Sequence, residues 1–290
     1  MPKKDTLNAK EIEEDYGLSM GLFKSSKELY GLLRKAVKGN WTATKFQVEL
    51  RNTKWFKTHS ATWRENQALK FSDPKTFKAN VKERQVAIND LARSYGVSLS
   101  AKTLAKMATV STMNGFDDAR MRDWIANYVK PSSQGNYGGE LAGLQAQLEQ
   151  TASRNGVRIS GPAMKSWMQA ITRGNQTVEG YQAYLRDQAA KTFSAFGDQI
   201  RAGMDMQDVA SPYIQSMAEV WEINPQQVDM FDQTLRKALT RKNEKGQVDP
   251  TSIGDFEEQL RKDPRWRQTK QANKQARAMA EAMASAWGLN

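Results

Sequence analysis

Apolar side chains in this chain return every three or four positions. Leu141, Leu144 and Leu148 do so, as do Ile125 and Tyr128 after Trp124, while sustained period-two alternation is absent. The pattern predicts an all-α protein. Ser72, just before Asp73-Pro74, reads as a helix start, and that helix is expected to run on through Val81, Val86 and Leu91. The last helix is expected from Arg265 to Trp287, a stretch rich in Ala, Lys, Gln and Arg, all good helix formers. Its Met279, Met283 and Trp287 fall on one stripe and are expected to be packing residues.

The periodicity also repeats on a longer scale. Ala92-Arg93-Ser94-Tyr95-Gly96-Val97-Ser98-Leu99-Ser100 aligns without gaps on Ala152-Ser153-Arg154-Asn155-Gly156-Val157-Arg158-Ile159-Ser160. Leu104 then falls on Met164, Met107 on Trp167, Met121 on Tyr181 and Trp124 on Tyr184. Physically this predicts a helix ending at a left-handed glycine, a short link, and a serine N-cap for the next helix. Pro162 stands in the first turn of that next helix, where proline is tolerated.

A second pair brackets the first. Leu33-Arg34-Lys35-Ala36-Val37 recurs as Leu235-Arg236-Lys237-Ala238-Leu239, and Phe46, Leu50, Arg51 and Trp55 recur as Phe256, Leu260, Arg261 and Trp266. Tyr16-Gly17-Leu18-Ser19 has a looser echo in Trp221-Glu222-Ile223-Asn224. The intervening loop is longer in the second copy, from Arg241 to Gly254, and its Lys, Asn and Gly content predicts exposure. The expected architecture is an internally duplicated multi-helix bundle in the order outer, inner, inner, outer, which suits a closed bundle better than a head-to-tail solenoid. Residues 1–130 form the N-terminal half and 140–290 the C-terminal half. The polar Gly/Ser run at 131–139 is the expected flexible joint.

Composition narrows the function. The chain has no cysteine and one histidine, which excludes disulfides, thiol catalysis and multi-histidine zinc sites. His59 sits in Lys57-Thr58-His59-Ser60 without an evident catalytic partner, so it reads as an ordinary surface or half-buried histidine. No stretch approaches the roughly 20 apolar residues that cross a bilayer, and Met1-Pro2-Lys3-Lys4-Asp5 lacks a secretion-signal core. A soluble protein without membrane insertion is expected.

The net charge of +11 is unevenly spread. Between Arg34 and Arg93 there are fourteen Lys/Arg against five Asp/Glu, whereas Asp205 to Asp232 holds six acids and no Lys or Arg. Such blocks suit nucleic-acid binding or head-to-tail contact between copies. The candidate contacts for a nucleic acid or another anionic partner are Lys45, Arg51, Lys54, Lys57, Arg64 and Lys70. They are interleaved with Trp41, Phe46, Trp55, Phe56 and Trp63, as phosphate pairing plus base stacking requires. The competing reading, favoured by the recurrence of Phe46, Leu50 and Trp55 in the other outer copy, makes the aromatics core and the cations a solvated face. The candidate acidic interaction patch is Asp205, Asp208, Glu219, Glu222, Asp229 and Asp232.

No Gly-rich phosphate loop, HExxH or distinctive carboxylate pair is present, so no catalytic residue, cofactor or metal ligand is assigned. Glu13-Glu14-Asp15 and Asp117-Asp118 read as helix-start or surface charges. A glycosidase needs only two carboxylates, and Asp198, Asp205, Asp208 and Glu219 are the ones to suspect.

Several of these stretches resemble helical virion proteins of actinobacterial tailed phages, described as structural, minor tail or tape-measure-associated components. The likeness is carried by Leu33–Val37, Asn40-Trp41-Thr42, Phe46–Thr58, Gly96-Val97-x-Leu99-Ser100, Asp208–Tyr213 and Asp255–Asp263, and so covers most of the chain. It implies a particle component, made in the host cytoplasm and incorporated into the virion, and supplies no active site. The implied partners are other virion proteins, among them tail or tape-measure proteins; the charge blocks add a homo-oligomer or DNA as further expected partners. One departure is the lack of the long uninterrupted tract expected of a tail-length ruler. A basic internal head protein contacting genome DNA is the alternative, and a tail-delivered cell-wall hydrolase or its carrier domain a third.

Overall fold

A computed structural model of the chain describes residues 19–288. The Tyr16-Gly17-Leu18 part of the upstream echo and the Glu13–Asp15 acids lie outside them. Among the described residues the protein is all-α, with seventeen α-helices, three short 3-10 turns and no strand. An isolated antiparallel bridge joins Lys242 to Val248. The chain divides into two compact units, one of residues 1–131 with 137–140, the other of 132–136 with 141–290.

The first unit contains α1 (Met20–Lys24), α2 (Lys27–Lys38), α3 (Ala43–Asn52), α4 (Lys54–Thr58), α5 (Ala61–Ser72), α6 (Pro74–Ser94), α7 (Ala101–Asn114) and α8 (Asp118–Ala126). Each begins where a short polar side chain can accept an orphan backbone N–H: Ser19, Ser26, Thr42, Thr53, Ser60, Asp73, Ser100 and Asp117. Ser72 thus closes α5, and Asp73 rather than Ser72 opens the next helix, because a carboxylate ahead of Pro74 caps better than a residue two places away. Phe23, Leu29, Leu33, Ala36 and Phe46 form a buried cluster of α1, α2 and α3, with the Phe23 and Phe46 rings edge-on at 6.1 Å. On α6 and α7 the buried residues Phe77, Ile88, Ala92, Leu104, Met107 and Ala108 fall at helical spacing.

The end of α6 shows why glycine stands at position 96. Gly96 is left-handed at φ 67°, and the N–H of Val97 reaches back to the Ala92 carbonyl at 2.8 Å. Gly138 packs on it so closely that a Cβ at Gly96 would lie 2.2 Å from the Gly138 carbonyl carbon. Tyr137 is buried as well. The C-terminal part of the expected joint is therefore attached to α6 of the first unit rather than a free linker, because the two glycines permit backbone-to-backbone contact.

The second unit contains α9 (Glu140–Arg154), α10 (Gly161–Arg173), α11 (Val178–Thr192), α12 (Gly197–Arg201), α13 (Met206–Val209), α14 (Ser211–Trp221), α15 (Gln233–Leu239), α16 (Ile253–Lys262) and α17 (Lys270–Ala286), the Glu140 end of α9 excepted. Its core gathers Phe193, Ile200, Met206, Met217, Leu235, Leu239, Phe256 and Leu260. At its centre lies α14, which buries Tyr213, Ile214, Met217, Val220 and Trp221. The Tyr213 hydroxyl donates to the Thr251 carbonyl at 2.7 Å, and the Trp221 indole N–H donates to the Leu260 carbonyl at 3.2 Å, so both polar tips are satisfied.

Tyr181, on α11, is fully buried and its hydroxyl has no hydrogen-bond partner among the described residues. Burial, with smaller contributions from Tyr184 and Glu149, pushes its pKa up to about 12. Tyr181→Phe is expected to stabilise the second unit by about 1 kcal/mol, since it removes an unpaired buried polar group at little change in shape. Equilibrium urea unfolding checks this; a loss of stability would show that the hydroxyl is satisfied in solution.

The C-terminal region departs from expectation in two ways. Residues Pro264–Gln268 form a 3-10 turn, and α17 starts only after Thr269, whose hydroxyl caps it. Asp263-Pro264 interrupts the run, since proline cannot continue the preceding helix. Met279, Met283 and Trp287 do not pack in the core: they are 61%, 51% and 68% exposed, and Ala272 is the buried residue of α17. Helical spacing placed them on one face but could not say whether anything in the chain covers it.

Candidate functional site

The basic residues singled out in the first unit sit on three consecutive helices. Lys45 and Arg51 are on α3, Lys54 and Lys57 on α4, and Arg64 and Lys70 on α5. The short α4 is held in place by Glu28 of α2. Its two carboxylate oxygens accept the backbone N–H groups of Lys54 and Trp55, each at 2.8 Å. Behind α4 the half-buried Trp55, Trp41 and Leu50 pack on the core cluster that contains Phe46.

In front of that core lies an aromatic trio. His59 stacks on Trp63 with centroids 3.7 Å apart, and Trp55 meets Trp63 edge-on at 5.9 Å. His59 Nδ1 lies 2.8 Å from the Trp55 carbonyl oxygen, so that nitrogen is the donor. All three rings are half-buried.

The six cations do different things. The Arg64 guanidinium lies 3.7 Å from the Phe56 ring centre, and its Nη1 donates to the Phe56 carbonyl at 2.9 Å and to the His59 carbonyl. Arg64 therefore fixes the α4–α5 corner. Lys45 sits 4.9 Å from the Trp41 ring and Lys70 6.0 Å from Phe77, whereas Arg51, Lys54 and Lys57 are exposed. None of the six makes an ion pair among the described residues.

The acidic residues of the second unit are mostly engaged within it. Asp205 pairs with Arg154 at 2.8 Å and Arg186 at 3.4 Å, and it accepts from the buried Asn155 amide at 3.1 Å. Asp208 takes Arg154 through both oxygens at 2.9 and 3.0 Å. Asp232 caps α15 and pairs with Arg265 at 2.9 Å, while that guanidinium lies 3.5 Å from the Trp221 ring centre. Glu222 receives the first N–H groups of α17, from Lys270 and Gln271, at 2.8 and 2.9 Å. Asp229 accepts the Phe231 N–H at 2.9 Å, and Glu219 is exposed. The absence of Lys and Arg between Asp205 and Asp232 has a plain cause: the middle of that stretch is the buried helix α14. The arginines that answer its flanking acids lie 19 and 51 residues upstream of Asp205 and 33 downstream of Asp232, beyond any local sequence pattern.

Among the carboxylates suspected of hydrolysis, Asp205 has surroundings that displace its titration. Burial would raise Asp205, but the hydrogen bonds from Arg154 and Asn155 and the charges of Arg154 and Arg186 outweigh it and hold the carboxyl below its ordinary range. A general acid needs the opposite displacement. Asp198 is fully solvated, 3.5 Å from Arg201. Among the described residues no group of three or more potential ligands could hold a metal ion, and no helix is long and apolar enough to cross a membrane.

Compared with protein-family models, curated proteins and solved structures, the chain matches none.

Proposed function

We propose that this chain is a tail-associated structural component of a tailed-phage particle and acts by protein–protein contact rather than by catalysis. The observation that carries the reading is the face of α17. Met279, Met283 and Trp287 recur at intervals of four along one exposed stripe. A methionine and tryptophan stripe is the kind of adaptable, apolar surface that anchors a helical partner. The sequence resemblance supplies the phage context, with other virion proteins as partners.

The same proposal includes an internal duplication, in the order outer, inner, inner, outer. Its support is local. Gly96 and Gly156 are both left-handed caps, at φ 67° and 60°, and Ser100 and Ser160 both cap the next helix. Asp117 and Thr177 then cap the third. Buried residues pair at the same spacing: Ile88 with Leu148, Leu104 with Met164, Thr112 with Thr172, Ile125 with Leu185. In the outer pair Thr42 corresponds to Ser252, Phe46 to Phe256 and Thr53 to Asp263, each at the start, core face or end of a ten-residue helix.

Particles separated into capsids, tails and released DNA, with each fraction read by mass spectrometry, test the reading. The chain is expected in tails. A Met279→Lys/Met283→Lys double variant is expected to fold with unchanged melting temperature and to be depleted from tails at least tenfold, since each buried methionine anchor is worth on the order of 1–2 kcal/mol of contact. Wild-type abundance of the variant in tails would remove α17 as the assembly surface, and absence of the chain from every fraction would remove the virion reading.

A second reading, a basic internal head protein on genome DNA, is favoured by one observation: six cations on three consecutive helices, none with an ion-pair partner among the described residues. It requires single-strand or duplex DNA binding that weakens steeply with salt. Enrichment with capsids or DNA would promote it.

A further inference from the structure

The longer loop of the second unit builds a feature that neither reading uses. Residues 241–248 fold back through the Lys242–Val248 bridge and wall an open cleft of about 770 Å³ against the end of α11 and one side of α15. Lys191, Ser194, Arg236, Thr240, Lys242 and Gln247 contribute to the lining, which contains no acidic residue. Lys191 is paired with Asp187 at 2.5 Å, but Arg236 and Lys242 have no carboxylate partner among the described residues.

Arg236 is the telling group. Two other half-buried arginines of this unit are matched with an acid, Arg154 and Arg186 both pairing with Asp205. Arg236 instead donates Nη1 to the Gly156 carbonyl at 2.9 Å and lies 5.2 Å from the Phe193 and 5.7 Å from the Phe231 ring centres. On Phe231 it is joined by a second cation, Arg158, at 4.8 Å. Burial and then the charge of Arg158 push the Arg236 guanidinium below its ordinary pKa, the sign of a cation whose surroundings lack a counter-charge. The carbonyl and the rings fix the guanidinium plane, and its Nε and Nη2 donors have no hydrogen-bond partner among the described residues. A guanidinium held in this way suits a tetrahedral oxyanion, which can take two parallel N–H donors.

We propose that the cleft between α11, α15 and the 241–248 loop is an oxyanion site that takes phosphate groups, with Arg236 as the fixed donor, Lys242 as the mobile cation on the loop and Ser194 as a hydroxyl ligand. The phosphate can come from a free polyphosphate or from a nucleic-acid backbone, and the cleft has room for either.

Isothermal titration of the full chain with inorganic pyrophosphate and, separately, with an eight-nucleotide oligothymidylate distinguishes these sources. The variants are Arg236→Gln, Lys242→Glu and, as an exposed lysine outside the cleft, Lys165→Glu. Because Arg236 also holds the Gly156 carbonyl, Lys242→Glu on the exposed loop is the decisive variant. Saturable binding that Lys242→Glu weakens by about tenfold or more, and Lys165→Glu leaves unchanged, supports the site. Pyrophosphate alone behaving so assigns a free phosphate ligand, and the oligonucleotide behaving so assigns a nucleic-acid backbone. No saturable binding of either probe, or binding that Lys242→Glu does not weaken, overturns it.

Discussion

Alanine at Gly96 is expected to cost the first unit ~3–5 kcal/mol, whereas alanine at Gly156 costs the second about 1 kcal/mol. Both glycines are left-handed helix ends, so an L side chain is strained at either. The difference lies in what the new methyl group meets. At Gly96 it would stand 2.2 Å from the carbonyl carbon of Gly138 and 2.5 Å from its Cα, backbone atoms that cannot turn aside. At Gly156 the nearest atoms belong to the Phe193 ring, at 3.2 Å, and to the end of Arg236, at 3.4 Å, and side chains can yield by a few tenths of an ångström. Gly139→Ala should resemble Gly96→Ala, since its Cβ would lie 2.2 Å from the Ser94 carbonyl oxygen. Denaturant unfolding of the three variants gives the comparison, and equal losses at Gly96 and Gly156 would show that the segment of residues 137–140 does not hold its place in solution.

Asp205→Ala is expected to destabilise the second unit by ~2–4 kcal/mol at neutral pH, because it strips two arginines and a buried asparagine amide of one shared acceptor. Arg154 retains Asp208, which keeps the loss below that of a fully orphaned buried pair. The effect must depend on pH. The Asp205 carboxyl is held below its unfolded value, so the stability it contributes is present above about pH 4 and is lost as pH falls through the folded value. Two further carboxyls act in the same direction. In Asp232, burial is outweighed by the Arg265 hydrogen bond and the α15 N–H groups; in Asp263, the Arg265 hydrogen bond comes first and outweighs burial. The melting temperatures of wild type and Asp205→Ala, well separated at pH 7, should therefore converge as pH falls below about 4. A gap that persists at pH 2 would mean that Asp205 stabilises through packing rather than through its charge.

The individual helices were legible because their causes are local. Ser100 and Ser160 act within a single turn, and Gly96 and Gly156 act through their own φ, whereas the start before Pro74 was read at Ser72 and lies at Asp73. The core positions Phe46, Leu50 and Trp55 were legible through recurrence, and they do pack on the core of the first unit. The roles of the charged residues were not. Arg64 belongs to the basic set by composition, yet it bonds the backbone at the α4–α5 corner. The acids from Asp205 to Asp232 look like one patch along the chain, yet Asp205, Asp208 and Asp232 face arginines of their own unit. Arg236 carried no signal beyond its place in a repeated five-residue string.

By itself the sequence determined that this protein is helical, and it placed the helix ends at Gly96 and Gly156 and the caps at Ser100 and Ser160. Periodicity, capping and left-handed glycines are properties of neighbours a few residues apart. Only the tertiary structure decided which faces are covered. It left Met279, Met283 and Trp287 exposed, pressed Gly138 onto Gly96, matched Asp205, Asp208 and Asp232 with arginines from other helices, and left Arg236 and Lys242 without carboxylate partners among the described residues. The physical reason is that burial and ion pairing depend on distances through space between segments tens of residues apart, and these are fixed only when the helices pack.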